Sequence, residues 1–77
     1  MRYVFEQFNV EIKPNKILVD LNTIRDKAID KQLSVDIVLI CDSGNFGITA
    51  ENMAYIDSWS DSDIETMVNE WLKKFAL

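Results

Sequence analysis

Histidine is absent from this 77-residue sequence, and glycine, proline and cysteine are scarce, with two, one and one residues respectively. Histidine is the commonest general base and metal ligand, so every catalytic triad and metal site that depends on it is excluded. Two glycines cannot form the glycine-rich loops that hold phosphates or dinucleotides. One cysteine allows neither an intrachain disulfide nor a cysteine-based metal cluster. We therefore expect no enzyme, no cofactor and no metal site.

Long apolar runs and a signal peptide are also missing. The longest uninterrupted apolar run is Ile37 to Cys41, far below the ~20 residues that a membrane span needs. The first residues lack the apolar stretch and small-residue cleavage site of a secretory signal. A small domain without disulfides suits a reducing compartment. We expect a cytoplasmic protein with no membrane partner, and a single domain over residues 1–77.

Basic residues are missing from the whole stretch between Gln32 and Leu72, which contains no lysine or arginine. The eight carboxylates of this stretch are Asp36, Asp42, Glu51, Asp57, Asp61, Asp63, Glu65 and Glu70. The net charge of the chain is −5 at neutral pH. A field of one sign over so many residues repels nucleic acid and attracts basic surfaces. The sequence therefore predicts a basic protein surface as partner and no direct contact with nucleic acid.

Apolar residues that alternate with polar ones predict β-structure at the start of the chain. Residues 8–12 have the period of two that is typical of a half-buried strand. Tyr3 and Phe5 alternate on the opposite parity, which indicates either a bulge or a strand covered on both faces. Pro14 favours a turn, and residues 17–19 form a second short strand. We expect the two strands to pair as a hairpin.

A helix is predicted next, capped by Asp20 or Asn22 and ending near Leu33, with mixed charges on its outer face. Residues 35–41 are too few and too rich in β-branched side chains for a helix, so they predict a central strand buried on both faces. A turn follows over residues 42–45.

The end of the chain carries the clearest helix signal. Residues 46–49 predict a returning strand, whereas residues 50–58 suit either a further strand or a short helix. Ser60 and Asp63 have the spacing of an N-terminal capping box, and Trp59 is placed to pack on the first turn. The apolar positions at helical spacing are Ile64, Met67, Val68, Trp71, Leu72 and Phe75.

The predicted element order is β-β-α-β-β-(β)-α. This order is typical of an α+β protein, in which helices cover one face of an antiparallel sheet. We expect a small single-domain, two-layer fold with a sheet of three to five strands and two helices packed on one face.

The residues Ile40 to Gly44 resemble the active-site turn of aspartic proteases, where an apolar strand leads into Asp-Ser-Gly. The resemblance covers five residues and implies that Asp42 would share a proton with the same residue of a second copy. A strand that ends in an Asp-Ser-Gly turn is also common for reasons of turn geometry alone, and this is the interpretation we favour.

The serines and acids of residues 57–63 allow several interpretations. The segment lacks the glycine and the bidentate glutamate of a calcium loop. Ser58, Ser60 and Ser62 each precede an acid by three residues, a spacing that suits a phosphorylation site and also helix capping. Capping explains the spacing better.

Our leading hypothesis is a non-enzymatic, acidic protein-interaction module. Its specific form is an inhibitor, of the kind that phages and mobile elements encode, that mimics nucleic acid and occupies the basic surface of a nucleic-acid-handling protein. The predicted contact residues are Asp42, Glu51, Asp57, Trp59, Asp61 and Glu65. One alternative is a structural or regulatory subunit that assembles, also with copies of itself, through Tyr3 and Phe5 or an open sheet edge. The remote alternative is an aspartic-protease-like dimer that uses Asp42.

Overall fold

The computed structural model describes residues 1–22 and 30–77. Within these ranges the chain forms five β-strands, one α-helix and two short 3₁₀ turns. The strands are β1 (Tyr3–Phe5), β2 (Val10–Ile12), β3 (Lys16–Val19), β4 (Gln32–Cys41) and β5 (Gly44–Ala54); the helix is α1 (Asp61–Leu72); the 3₁₀ turns are Glu6–Phe8 and Lys73–Phe75. The result is a small compact α+β domain with a two-stranded and a three-stranded antiparallel sheet.

The larger sheet has the order β3-β4-β5, so β4 is its central strand, as the sequence predicted. Burial alternates along β4, with Leu33, Val35, Ile37 and Leu39 buried on one face. The opposite face of β4 is only partly buried, so the prediction of a strand buried on both faces is correct for one face alone. Alternation of this kind follows from the two-residue repeat of a strand and fixes which face meets the core.

A β-bulge interrupts the long pairing of β4 with β5. The register changes between Leu33, which pairs with Met53, and Val35, which pairs with Ala50. The extra residue of β5 is accommodated where Asn52 adopts a left-handed backbone with φ 57°, a conformation that asparagine tolerates better than most residues. β5 therefore extends into the segment 50–58, whose structure the sequence left ambiguous, and ends at Ala54, so residues 55–58 form neither a strand nor a helix.

The start of the chain departs from the predicted hairpin. β1 pairs with β2 in a separate two-stranded sheet, and the 3₁₀ turn Glu6–Phe8 connects them. This turn explains the change of parity, because Tyr3 and Phe5 belong to a different strand from Ile12 and all three are buried. β3 pairs with β4 instead of with β2. The prediction that Tyr3 and Phe5 are exposed for assembly is therefore wrong.

The helix predicted from Asp20 or Asn22 falls mainly on residues 23–29, which lie outside the described residues. Its predicted end is wrong, because Leu33 belongs to β4. Asp30 and Lys31 have φ values of 51° and 60°, and two successive left-handed residues cannot continue a right-handed helix. Thus only one of the two predicted helices lies within the described part of the chain.

The helix α1 covers the inner face of the larger sheet, as its apolar spacing predicted. Ile64, Val68 and Leu72 are buried, while Met67 and Trp71 are partly buried and pack against the core. Fully burying one such side chain stabilises the fold by about 1.5–3 kcal/mol. Ser60 and Asp63 form the predicted capping box, in which the side chain of each residue accepts a hydrogen bond from the backbone N–H of the other.

Aromatic side chains join the smaller sheet to this core. The ring of Phe5 lies 5.9 Å from Phe46 of β5 and 5.0 Å from Phe75 of the second 3₁₀ turn. The two chain ends are also paired, since the backbone N–H of Leu77 donates to the carbonyl of Arg2 at 2.9 Å. Within the described ranges, α1 and the other helical turns fall short of the length and apolar character that crossing a membrane requires.

Candidate functional site

Asp42 lies in the tight turn that joins β4 to β5, where its side chain is exposed. Its carboxylate accepts a hydrogen bond of 2.6 Å from the side-chain amide of Asn15, and the backbone N–H of Asn15 donates to Ile40. Asp42 thereby ties the β4–β5 turn to the residue that precedes β3. This contact gives the carboxylate a structural role in the turn.

Glu51 lies at the bulge of β5 and is exposed. Its side chain lines two shallow grooves beside the strand, and Trp71 of α1 lines both. The second groove also contains Glu70 and Lys74. Glu51 therefore faces the flank of α1 that lies along β5.

Asp57 and Trp59 lie in the loop that connects β5 to α1. Asp57 is exposed, whereas Trp59 is only partly exposed. The indole of Trp59 packs edge-on against Tyr55 at a ring separation of 6.5 Å, and its backbone N–H donates to Ile56. Trp59 thus anchors the loop on the core and leaves only part of its surface for a partner.

Asp61 and Glu65 lie on α1, and both are exposed. Asp61 is the first residue of the helix, close in sequence to Asp57. Glu65 lines a groove with Asn69 and the whole of β3. Glu65 is therefore on the β3 flank of α1, opposite the β5 flank where Glu51 lies.

These positions separate the six predicted contact residues into groups. Asp57, Trp59 and Asp61 come together at the N-terminal end of α1. Asp42 lies in the turn next to the Cys41–Gly44 pair that ends the β4–β5 ladder, whereas Glu51 lies at the bulge within the ladder, next to the Val35–Ala50 pair. Six residues of strand span about 20 Å. The predicted residues thus form one cluster and three separate exposed positions.

Two further carboxylates of the acidic stretch, Asp63 and Glu70, make local contacts on α1. Asp63 accepts hydrogen bonds from the backbone N–H and the hydroxyl of Ser60, at 2.8 and 3.0 Å. Glu70 forms an ion pair of 2.9 Å with Lys73 on the helix surface. Acids at the first turn of a helix also interact favourably with the helix dipole. By contrast, Glu51, Asp57 and Glu65 form no ion pair with any base in residues 1–22 and 30–77.

A feature that the sequence did not locate is the groove along the outer edge of β5. It has a volume of about 450 Å³ and is lined by Gln7, Phe8, Gly47, Ile48, Thr49, Glu51, Trp71 and Phe75. The sequence suggested an open sheet edge without identifying the strand. The available signal was the composition of β5, which has one charged residue and no proline in eleven positions.

The described residues hold no buried polar or charged side chain. Across the same residues, no group of three or more histidine, cysteine, aspartate or glutamate side chains is placed to hold a metal ion. The sulfur of Cys41 is partly buried and lies 3.8 Å from the carbonyl of Leu39. The described structure therefore presents a ligand with exposed carboxylates and with open surface grooves, of which the groove beside β5 is one.

The fold and surface define a small α+β domain with an acidic exterior and one long edge strand. Comparison of the chain with protein-family models, with curated proteins and with solved structures finds no match in any of the three. Any function must therefore be argued from the residues themselves.

Proposed function

We propose that this protein is a non-enzymatic, acidic protein-interaction module that binds a basic protein surface. The observation that carries the proposal is the stretch from Gln32 to Leu72, which has eight carboxylates and no base. Such a field steers a basic partner toward the surface and repels other acidic molecules.

The arrangement of the carboxylates supports a broad contact. Asp57 and Asp63 lie at the start of α1, where the helix dipole supplies only about half a positive charge. These two carboxylates therefore outweigh the dipole at this end of the helix. Trp59 lies within the same cluster, and tryptophan is among the residues that most often dominate binding energy at protein interfaces.

The more specific proposal is an inhibitor that occupies the basic surface of a nucleic-acid-handling protein. Duplex DNA presents one charge per ~1.7 Å of its axis, whereas the separation of Asp42 from Glu51 is about 20 Å. The carboxylates are thus too widely spaced to copy a DNA backbone charge by charge. This spacing favours the broader proposal of a basic protein partner over a close nucleic-acid mimic.

A matched pair of triple variants tests the acidic surface. The first variant combines Asp42→Asn, Glu51→Gln and Asp57→Asn, and the control combines Glu6→Gln, Glu11→Gln and Asp30→Asn. Each raises the net charge from −5 to −2. We expect the first variant to lose the partner captured from native lysate by the wild-type protein, and the control to retain it.

The association rate with the captured partner should fall at least about tenfold from low to high salt, because rim charges act mainly on encounter. Equal capture by both variants and the wild type would contradict the proposal. Equal loss in both variants would show that net charge matters and the predicted positions do not.

One observation favours a second candidate, a structural or regulatory subunit that assembles through a sheet edge. β5 is eleven residues long and lies at the edge of its sheet, and long edge strands readily pair with another strand. Sedimentation would reveal this function as a dimer whose size does not depend on concentration. A monomer at every concentration would contradict it.

A further inference from the structure

The backbone of β4 determines which groups of β5 face outward. The carbonyls of Ile40 and Asp36 accept hydrogen bonds from Asn15 and Asp20, at 2.7 and 2.9 Å, on the β3 side. Successive residues of a strand direct their backbone groups to opposite sides. Ile37 and Leu39 must therefore direct theirs toward β5.

The partners of these residues in β5 follow from the register. Leu39 pairs with Phe46, and Ile37 pairs with Ile48, so Phe46 and Ile48 direct their backbone groups back toward β4. The alternate residues Asn45, Gly47 and Thr49 then direct their N–H and C=O groups away from the sheet. Within residues 1–22 and 30–77, no other segment donates or accepts a backbone hydrogen bond along this edge, which is about 14 Å long.

The two edges of the sheet differ in how they are protected. β3 has four residues, carries Lys16 and follows Pro14 closely. Short length, charge and proline are the usual means by which proteins prevent unwanted strand pairing. The segment from Gly44 to Ala50 has none of these features. With respect to residues 1–22 and 30–77, the edge of β5 is thus open to a further strand.

The groove beside this edge indicates the side chains that such a strand would bring. Phe8, Trp71 and Phe75 line its core side, and Glu51 provides its charge. Phe8 is 48% exposed, so its ring offers apolar surface to an incoming residue. Glu51 lines the same groove as these rings, so the groove-facing side chains of an added strand would meet both apolar surface and a negative charge, while alternate side chains point to the other face.

We propose that the outer edge of β5 binds an extended, basic segment of the partner protein as an added β-strand. This inference rests on the proposed function, because it names the part of the basic partner that docks. Strand addition supplies main-chain hydrogen bonds for affinity and alternate side-chain pockets for specificity. A second copy of this chain is the less favoured occupant, since each copy carries a net charge of −5 and like charges oppose the pairing.

Two variants at one position test the edge. Gly47→Pro removes an outward N–H, whereas Gly47→Ala keeps it and adds a Cβ that meets no atom within 4 Å. The probe is a synthetic peptide of about nine residues, a strand-length segment, that alternates lysine with valine. We expect Gly47→Pro to bind it about tenfold or more weakly than Gly47→Ala. Amide hydrogen exchange at Asn45, Gly47 and Thr49 should slow in the wild-type complex.

Two peptide series keep the test independent of any folding defect in Gly47→Pro. A peptide can be N-methylated at its odd-numbered or at its even-numbered residues. We expect one of these two peptides to lose binding, because its methylated N–H groups face β5, and the other to bind as the unmodified peptide does. A glutamate–valine peptide should bind at least about tenfold more weakly than the lysine–valine peptide.

Each opposing outcome has a defined meaning. Absent binding of the lysine–valine peptide, or equal binding by Gly47→Pro and Gly47→Ala, would overturn strand addition at β5. Equal binding of the lysine–valine and glutamate–valine peptides would overturn the proposal that the added strand is basic. A wild-type dimer that Gly47→Pro abolishes would overturn it too, because the edge would then bind a second copy of this chain. The triple variants at Asp42, Glu51 and Asp57 test the acidic surface separately, so strand addition can fail while the proposed function stands.

Discussion

Ser60 shows how much one short side chain contributes at the start of the single described helix. Its hydroxyl accepts a hydrogen bond of 3.2 Å from the backbone N–H of Asp63, and the Asp63 carboxylate bonds back to the N–H of Ser60. The two contacts provide acceptors for the backbone N–H groups of Asp63 and Ser60, which have no acceptor within the hydrogen-bond pattern of α1. The contacts are local, so residue spacing alone was sufficient to predict them.

We predict that Ser60→Ala lowers the free energy of unfolding by about 1 kcal/mol. Ser62→Ala provides the matched control, because this exposed serine makes no side-chain hydrogen bond in the described structure, and it should change stability by less than about 0.5 kcal/mol. Urea denaturation followed by circular dichroism measures both. Equal effects from the two substitutions would show that the capping box is not what stabilises the helix.

At the scale of elements, strands were located well and paired poorly from the sequence. The short apolar run of residues 35–41, rich in β-branched side chains, identified β4, whose core-facing residues are all large and apolar. The pairing of strands depends on contacts between residues far apart in the chain. The local pattern of apolar residues carries no information about those contacts. The 3₁₀ turn Glu6–Phe8 and the left-handed Asn9 therefore escaped prediction, and with them the division into two sheets. The open edge of β5 escaped for the same reason.

Phe5 is the residue through which the smaller sheet depends on the larger one. It is 1% exposed and packs between Phe46 and Phe75. We predict that Phe5→Ala costs about 3–5 kcal/mol, through lost burial and the cavity left behind. Phe8→Ala removes a half-exposed ring that meets Phe46 edge-on, and it should cost about 1 kcal/mol.

Thermal and urea unfolding compare these two phenylalanine variants with the wild type. A Phe5→Ala protein that does not unfold cooperatively would agree with the prediction. In that case we expect Phe5→Leu to have a free energy of unfolding between those of Phe5→Ala and the wild type. Similar losses from Phe5→Ala and Phe8→Ala would contradict the placement of Phe5 in the core.

For the whole molecule, charge is the property that sequence predicted best and structure qualified most. The stretch without bases was visible from composition alone. Its placement was not, because Glu51 and Glu65 lie on opposite flanks of α1 through the path of the chain in three dimensions. These two acids therefore do not belong to one patch of the surface.

We predict that the protein becomes more stable as salt increases from about 20 mM to about 500 mM NaCl, because screening reduces repulsion among its acids. The ion pairs Arg2–Glu11 and Lys73–Glu70 are exposed and lose little on screening. The gain should reach up to about 1 kcal/mol, or roughly 4–8 °C in Tm. It should be smaller in the Asp42→Asn, Glu51→Gln, Asp57→Asn variant. A fall in Tm with salt would contradict the prediction.

The pairing of the two chain ends has a mechanical consequence. Tyr3 bridges Ala76, and Leu77 donates to Arg2, so a force that pulls on both ends meets these few contacts first. These contacts would break one after another. Until they have broken, the force does not act on the β4–β5 ladder. Tension on the ends would thus detach the terminal segments before it reaches the edge of β5.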